Sequence, residues 1–410
     1  MLASAMLFNL ALTAHIALVT YNVQGLFRGH DFRDQQRRPL VTAQLHKLTD
    51  AAMAKSSQAA SVLVLCLQEI FELSRQTYAK EMKKQAKRPL ETAIAQYFET
   101  EFTEDYKTLV GFKCKLLGTN KALATVICYR KGAVSLRHLR NLKYVYNEDE
   151  LPGQANPYSG KMFPFKGGLI TELLVDNMPF NVLNLHLSSK NIENRRKQIT
   201  EILQKYYGSE MASQHGVLLM AGDMNARTGS NYRLDGVNAL EYYKGGSILK
   251  NFLRGCLEMI HKNVEFSIHN WNRGNCLDLI DFVDKHEEMT MFFSVPLAVS
   301  SSIHLAAREI GKRRFMPTFC YDKNKQYVKR EYVENYRYDC HKTTENTVSW
   351  PDRIFVVTNK NLGKHRYHVE TEAYDSMKLP ISDHMPVFST FKLSEPCLLS
   401  RDMPDFDAEV

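Results

Sequence analysis

The chain has 410 residues, 53 Lys+Arg against 45 Asp+Glu for a net charge of +8, and is 44% hydrophobic, 24% charged and 10% aromatic. That apolar share can build a large core against the entropy of ordering it, which excludes a disordered chain, a collagen-like repeat and a small disulfide scaffold. The basic excess is compatible with a phosphorylated partner and specifies none.

The opening stretch MLASAMLFNLALTAHIALVTYNVQG is apolar, but it has no Lys or Arg before Arg28 and runs straight into β-branched residues. Lacking a basic leading region, it reads as an amphipathic lead-in to a first core strand and not as a secretory signal. That strand is expected at residues 16–23, followed by a helix over 35–55 with Leu40, Leu45 and Leu48 on its apolar side. The run VLVLCL (62–67) is apolar on both parities, as a strand buried on both faces must be. Charge alternates with apolar positions over 79–108, where AKEMKKQAKRPLE reads as the solvated face of a helix. Further strands are expected at 123–129, 169–175, 180–186, 217–220 and 354–357, and a helix at 191–206 with Ile192, Ile199, Ile202 and Leu203 on one side. Residues 145–165 are rich in turn formers and read as a long loop, and 396–410 as an acidic tail after a single catalytic domain spanning 1–395. The expected class is α/β, with strands in the interior. No stretch reaches the roughly 18–20 uninterrupted apolar residues of a membrane span.

The eight cysteines (66, 114, 128, 256, 276, 320, 340 and 397) form no CxxC pair and no zinc-type cluster. Cys66 and Cys128 sit inside apolar runs and read as small buried hydrophobes in a reducing compartment.

Five segments place a polar group at the end of an apolar strand, where a sheet presents its loops to a ligand: TYNVQG (20–25), CLQEIFEL (66–73), LNLHLSS (183–189), LLMAGDMNAR (218–227) and ISDHMPV (381–387). Each alone has a local explanation as a cap, a turn or a satisfied core histidine. Together they supply the groups that metal-assisted phosphate ester hydrolysis needs. Mg²⁺ takes carboxylate and amide oxygens, and Glu69 is the natural ligand, with Asn22 and Asp383 beside it. Asp223 with Asn225 can hold the attacking water, while His186 and His384 neutralise the phosphate or the departing oxygen.

In this order the segments TYNVQG, QE, HL, GDMN and SDHMPV resemble the endonuclease/exonuclease/phosphatase superfamily. The late segments PTFCYD (317–322) and SWPDRIF (349–355) are similar to those of its inositol polyphosphate 5-phosphatases. The resemblance covers about Ile16 to Phe391. It implies a DNase I-like two-sheet β-sandwich flanked by helices, four layers in the order α/β/β/α. It also implies a Mg²⁺-dependent phosphatase that removes the 5-phosphate from a phosphoinositide lipid or a soluble inositol polyphosphate. Carried over position by position, it puts Glu69 and Asn22 at the metal with Asp383 on the metal side, and Asp223 on the nucleophilic water with Asn225 adjacent. It sets His186 and His384 on the scissile phosphate, Asp352 behind His384, Lys166 and Arg227 on substrate phosphate, and Arg353 as a brace. Trp350 is expected to pack.

Three departures are visible: Tyr21 stands where the family usually has Trp, and Cys320 and Asn346 stand where it generally carries basic residues, with Lys323, Lys325, Lys329 and Arg330 nearby to supply charge. A nuclease or sphingomyelinase-type phosphodiesterase of the same superfamily is the alternative, and a silent binder should lack Glu69, Asp223 or His384, which are all present. Nucleic acid is not an expected partner. The expected location is cytoplasmic, and the apolar start or loops leave room for peripheral contact with a membrane.

Overall fold

In chain order the elements are β1 (Thr13–Asn22), β2 (Phe27–Arg28), α1 (Arg37–Ala54), β3 (Val62–Gln68), β4 (Phe71–Glu72), α2 (Arg88–Gln96), β5 (Phe112–Asn120), β6 (Leu123–Arg130), β7 (Leu136–Tyr146), β8 (Lys166–Val175), β9 (Met178–His186), α3 (Ile192–Tyr207), β10 (Val217–Asp223), β11 (Arg233–Leu234), β12 (Val237–Asn238), α4 (Glu288–Phe293), β13 (Leu297–Ser300), β14 (Ile303–Glu309), β15 (Asp352–Asn359), β16 (His368–Ser376) and β17 (Val387–Ser394). They come from a computed structural model that describes residues 13–28, 37–72, 88–104, 106–120, 122–146, 166–189, 192–208, 217–226, 233–234, 237–238, 288–300, 303–313, 315, 318, 350–359, 367–377, 379, 382 and 384–395.

Two sheets carry the architecture. The first has six strands in the order β16-β17-β1-β3-β6-β5, and the second has seven in the order β13-β14-β15-β10-β9-β8-β7. Alternate residues of the central strands meet between the sheets: Ile16 and Leu18 of β1, Val62, Val64 and Cys66 of β3, Phe180 and Val182 of β9, Leu219 and Ala221 of β10, and Ile354 and Val356 of β15. The other parity of the first sheet packs under α1 and α2 through Leu45, Leu48 and Ile94. That of the second packs under α3 through Ile199, Ile202 and Leu203, and under α4 through Met289. The result is the α/β/β/α sandwich implied by the sequence, and every residue of β3 and β10 is buried as their uninterrupted apolar runs require.

Several local expectations are corrected. Leu40 is 46% exposed, and Val41 takes its place in the core of α1. Residues 145 and 146 end strand β7 and do not open a loop, because Val145 and Tyr146 pair with Gly167 and Lys166 of β8. The expected helix over 79–108 is described from Arg88, where α2 passes into a π-helical turn at Tyr97–Glu101. Cys66 is a buried free thiol, but Cys128 is bonded to Cys114 opposite it on β5. That bond runs counter to the reducing compartment read from the cysteine spacing. No helix among the described residues is long and apolar enough to cross a membrane.

The topology explains where polar groups gather. β1 runs parallel to β3 and β9 runs parallel to β10, so Asn22, Glu69, His186 and Asp223 all emerge at one end of the sandwich. β8 and β15 run antiparallel to β9 and β10 and reach that same end with their first residues, Lys166 and Asp352.

Candidate active site

The second sheet sets a row of chemistry by register alone. Asp223 is the cross-strand partner of both His186 and Asp352, and cross-strand partners project from the same face. Gly222 makes this close pairing feasible: its φ is +154°, and a Cβ there would collide with the carbonyl oxygen of Leu185. Gly167, after Lys166, is held at φ +150° against the Tyr144 carbonyl in the same way.

Asp223 Oδ2 is the hub. It accepts from Asn22 Nδ2 at 3.0 Å and lies 3.4 Å from His186 Nε2 and 3.7 Å from His384 Nε2. Its other oxygen accepts from the backbone N–H of Asn225 at 2.9 Å. His186 Nε2 also faces Glu69 Oε1 at 3.5 Å and Lys166 Nζ at 2.5 Å. On the far side of the hub, His384 Nδ1 meets Asp352 Oδ2 at 2.9 Å, the carboxylate–imidazole arrangement that fixes a tautomer and raises basicity. The structure therefore brings together Asn22, Glu69, Lys166, His186, Asp223, Asn225, Asp352 and His384. Arg227 and Asp383 lie outside the described residues, as do Cys320, Asn346 and the four basic residues proposed to replace their charge.

All these groups except Glu69 are at most 6% exposed, so their charges act in a low dielectric. Burial would raise the Asp223 carboxyl, but the positive charge of His384, His186 and Lys166 outweighs it and holds Asp223 well below the usual carboxylate range. Burial wins at Asp352, which is pushed up to about 6 despite His384, with the charge of Asp223 adding to the rise. Two neighbouring carboxylates are thus driven apart, a pattern that assigns different proton roles to chemically identical groups.

Backbone strain concentrates here too. Gln24, Glu69 and Asn225 have φ of 45°, 50° and 48°, a region that costs side-chain-bearing residues on the order of 1–3 kcal/mol each. Glu69 is turned by this conformation away from the strand that precedes it and toward His186.

Supporting contacts come from Ser382 and Thr318, to which the motifs assign no role, and from Trp350 and Arg353, whose packing and bracing the resemblance implies. Ser382 Oγ donates to the Asn22 carbonyl at 2.6 Å and accepts from the His384 N–H at 3.1 Å, tying the last segment to the first strand. Thr318, of PTFCYD, accepts from Met385 N at 2.7 Å through its carbonyl and from Asp352 N at 3.4 Å through its hydroxyl. Trp350 packs as expected, with Nε1 donating to the Phe315 carbonyl at 3.1 Å. Arg353 is buried and braced, its Nε donating to Glu309 Oε1 at 2.7 Å.

The donor set suits a hard divalent cation. The Glu69 and Asp223 carboxylates both face His186 Nε2, at 3.5 and 3.4 Å, and the Asn22 amide sits on Asp223, so carboxylate and amide oxygens are at hand. Asp223, Asp352 and His384 form a second, buried set with ligating atoms within 4.8 Å of one another. The expected ligand Asp383 is outside the described residues.

The sequence model of Endonuclease/Exonuclease/phosphatase family 2 matches residues 19–246. The chain belongs to this family. Membership places it among hydrolases and agrees with the sandwich and with the site at the strand ends. Similar solved structures include the inositol polyphosphate 5-phosphatase domain of SPsynaptojanin in complex with inositol (1,4)-bisphosphate and calcium ion, at 14% identity, 93% of this chain, 84% of that one and a TM-score of 0.48. Cimex nitrophorin in its ferrous NO complex gives 14%, 93%, 99% and 0.49. D. rerio TDP2 with a single strand DNA product gives 13%, 92%, 98% and 0.39. Such identities transfer no substrate. No curated protein gives a match.

Proposed function

We propose that the chain is a Mg²⁺-dependent phosphatase that releases the 5-phosphate of an inositol phosphate or phosphoinositide. The observation that carries the reading is the pair of late segments, PTFCYD and SWPDRIF. The metal-binding core of the family does not require them, yet Thr318 and Asp352 from them buttress His384. Lys166, buried beside His186 where a phosphate would enter, adds a cation suited to a phosphomonoester.

Asn22 and Glu69, with Asp383, would hold the cation, which when bound supplies positive charge to the phosphate oxygens. Asp223, ionised at neutral pH, orients the attacking water and accepts its proton, and the N–H of Asn225 fixes the rotamer that aims it. His384, oriented by Asp352, and Lys166, beside His186, place positive charge on the equatorial oxygens as charge builds there, with His186 in contact with the same phosphate.

The test is turnover of a substrate panel with Mg²⁺ and with a chelator, read as phosphate release from phosphoinositides and soluble inositol phosphates, as strand cleavage of abasic DNA and as phosphocholine release from sphingomyelin. Turnover of 5-phosphorylated inositols, lost with chelator and reduced at least about 10³-fold by Asp223→Ala or His384→Ala, is the expected result. Turnover confined to DNA or sphingomyelin would replace the phosphatase reading with a phosphodiesterase of the same family.

A further inference from the structure

Between the sheets, apolar residues give way to polar ones one layer beneath the site. On the inward parity, Leu18 of β1 is followed by Thr20 and then Asn22, Cys66 of β3 by Gln68, and Val182 of β9 by Asn184 and then His186. Thr20, Gln68 and Asn184 are all 0% exposed. Gln68 Nε2 donates across the sandwich to Asn184 Oδ1 at 2.8 Å and approaches Thr20 Oγ1 at 3.1 Å and the Cys66 carbonyl at 2.9 Å. Asn184 Nδ2 returns from the second sheet to the first, donating to the carbonyls of Ala124 at 2.9 Å and Leu67 at 3.3 Å.

We infer that Gln68 and Asn184 are positioning residues: the Gln68–Asn184 amide hydrogen bond, with the bonds that Asn184 returns to the backbone of the first sheet, fixes how the two sheets sit against each other at the active end. The inference rests on the active-site reading above. Asn22 and Glu69 come from the first sheet, while Lys166, His186, Asp223 and Asp352 come from the second. The hydrophobic effect that drives burial of the apolar layer between the sheets is non-directional and does not by itself select one relative position. Hydrogen bonds are directional, and buried amides that lose a partner are costly, so the bridge accepts one register only. Gln68 is adjacent in sequence to Glu69, and Asn184 lies two residues before His186 on the same face. The Asn22–Asp223 hydrogen bond at 3.0 Å, which also crosses between sheets, sits directly above and depends on that register.

The variant is Gln68→Met, nearly isosteric and without hydrogen-bonding capacity, in the full chain. Two readouts are taken well below its melting temperature: kcat and KM on a substrate that the unaltered protein turns over, and hydrogen exchange of the Asn22 side-chain amide in metal-free, ¹⁵N-Asn-labelled protein. Expected are a kcat lower by roughly 10-fold or more with KM within about threefold, and Asn22 amide exchange faster by roughly 10-fold or more. Gln68→Asn, one methylene short of Asn184, should not rescue either readout. A purely structural role predicts a lowered melting temperature with both readouts unchanged per folded molecule, and that result overturns the proposal. Should Gln68→Met fail to fold, Thr20→Val, which removes the hydroxyl that holds Gln68, must shift both readouts in the same direction by a smaller factor. If the unaltered protein turns over nothing in the panel, the phosphatase reading falls and the Asn22 exchange alone decides this one.

Discussion

The two ends of the sandwich treat a carboxylate in opposite ways. Glu372, on β16 away from the active end, accepts from Ser56 Oγ at 2.9 Å, from Ser57 N at 3.3 Å and from the Ser57 hydroxyl, and lies 3.4 Å from His15 Nδ1. Burial would raise its carboxyl, but these donors outweigh it and hold it below its ordinary value. Asp352, at the active end, has one oxygen on His384 and the other buried with no hydrogen-bond partner among the described residues. His186 Nδ1 is likewise without a partner there. An unmade hydrogen bond of this kind costs about 1–3 kcal/mol. A saturated carboxylate clasps strands together, whereas Asp352 is held by one histidine in the row of groups on which the proposed chemistry rests, and that distinction can be broken experimentally.

After loss of Asp223 or His384, the largest expected effect is that of Asp352→Asn. The amide keeps the shape and can still accept from His384 Nδ1, but it cannot stabilise a positively charged imidazole. A kcat reduction on the order of 10²-fold is expected, with the folded far-UV spectrum and cooperative melt retained. A loss of folding in step with activity would make Asp352 another clasp. Lys166→Met follows. A charge-assisted phosphate contact is worth roughly 1.5–3 kcal/mol, so kcat/KM should fall by about 10- to 100-fold. Because Lys166 Nζ also touches His186, part of the loss should appear in kcat, and a change confined to KM would make Lys166 a binding residue only.

How much of this was legible in sequence follows the same line between saturated interior and exposed or half-satisfied edge. Strands β3 and β10 were readable because burial on both faces writes an unbroken apolar run. Strand β7, LRHLRNLKYVY, was not, because an edge strand half open to water can carry Arg137, Arg140 and Lys143 without cost, and its last two residues read as loop. The Cys114–Cys128 bond was hidden with it, since β5 was not recognised and the bond needs the β5–β6 register. Site residues that end apolar strands were visible at once. Gln68 and Asn184 were passed over because an amide inside a strand looks like a local imperfection. Counting parity back from His186 would have placed Asn184 on the same inward face. The contacts of Ser382 and Thr318 depend on how distant segments meet, which no local pattern encodes.

The smallest effect, and the sharpest form of the comparison, is in stability against pH for the metal-free protein. Glu372 has a folded-state pKa below its ordinary 4.5, so it contributes stability that is present above that value and lost as pH falls through the folded pKa. Glu372→Gln should therefore cost about 1 kcal/mol at pH 7, with the deficit shrinking under acid conditions, and leave kcat unchanged. Asp352 has the opposite sign. Its pKa rises from 3.8 unfolded to about 6 folded, so the native state holds the proton more tightly and its contribution declines as pH rises across that window. Asp352→Asn should then gain stability relative to the unaltered protein as pH rises through about 6, while losing activity. Denaturant midpoints for both variants at pH 4.5, 6 and 7.5 check the pair. Difference curves of the same sign would mean that the carboxylate at the active end is as fully satisfied as the one at the clasp, and the distinction between the two ends would be lost.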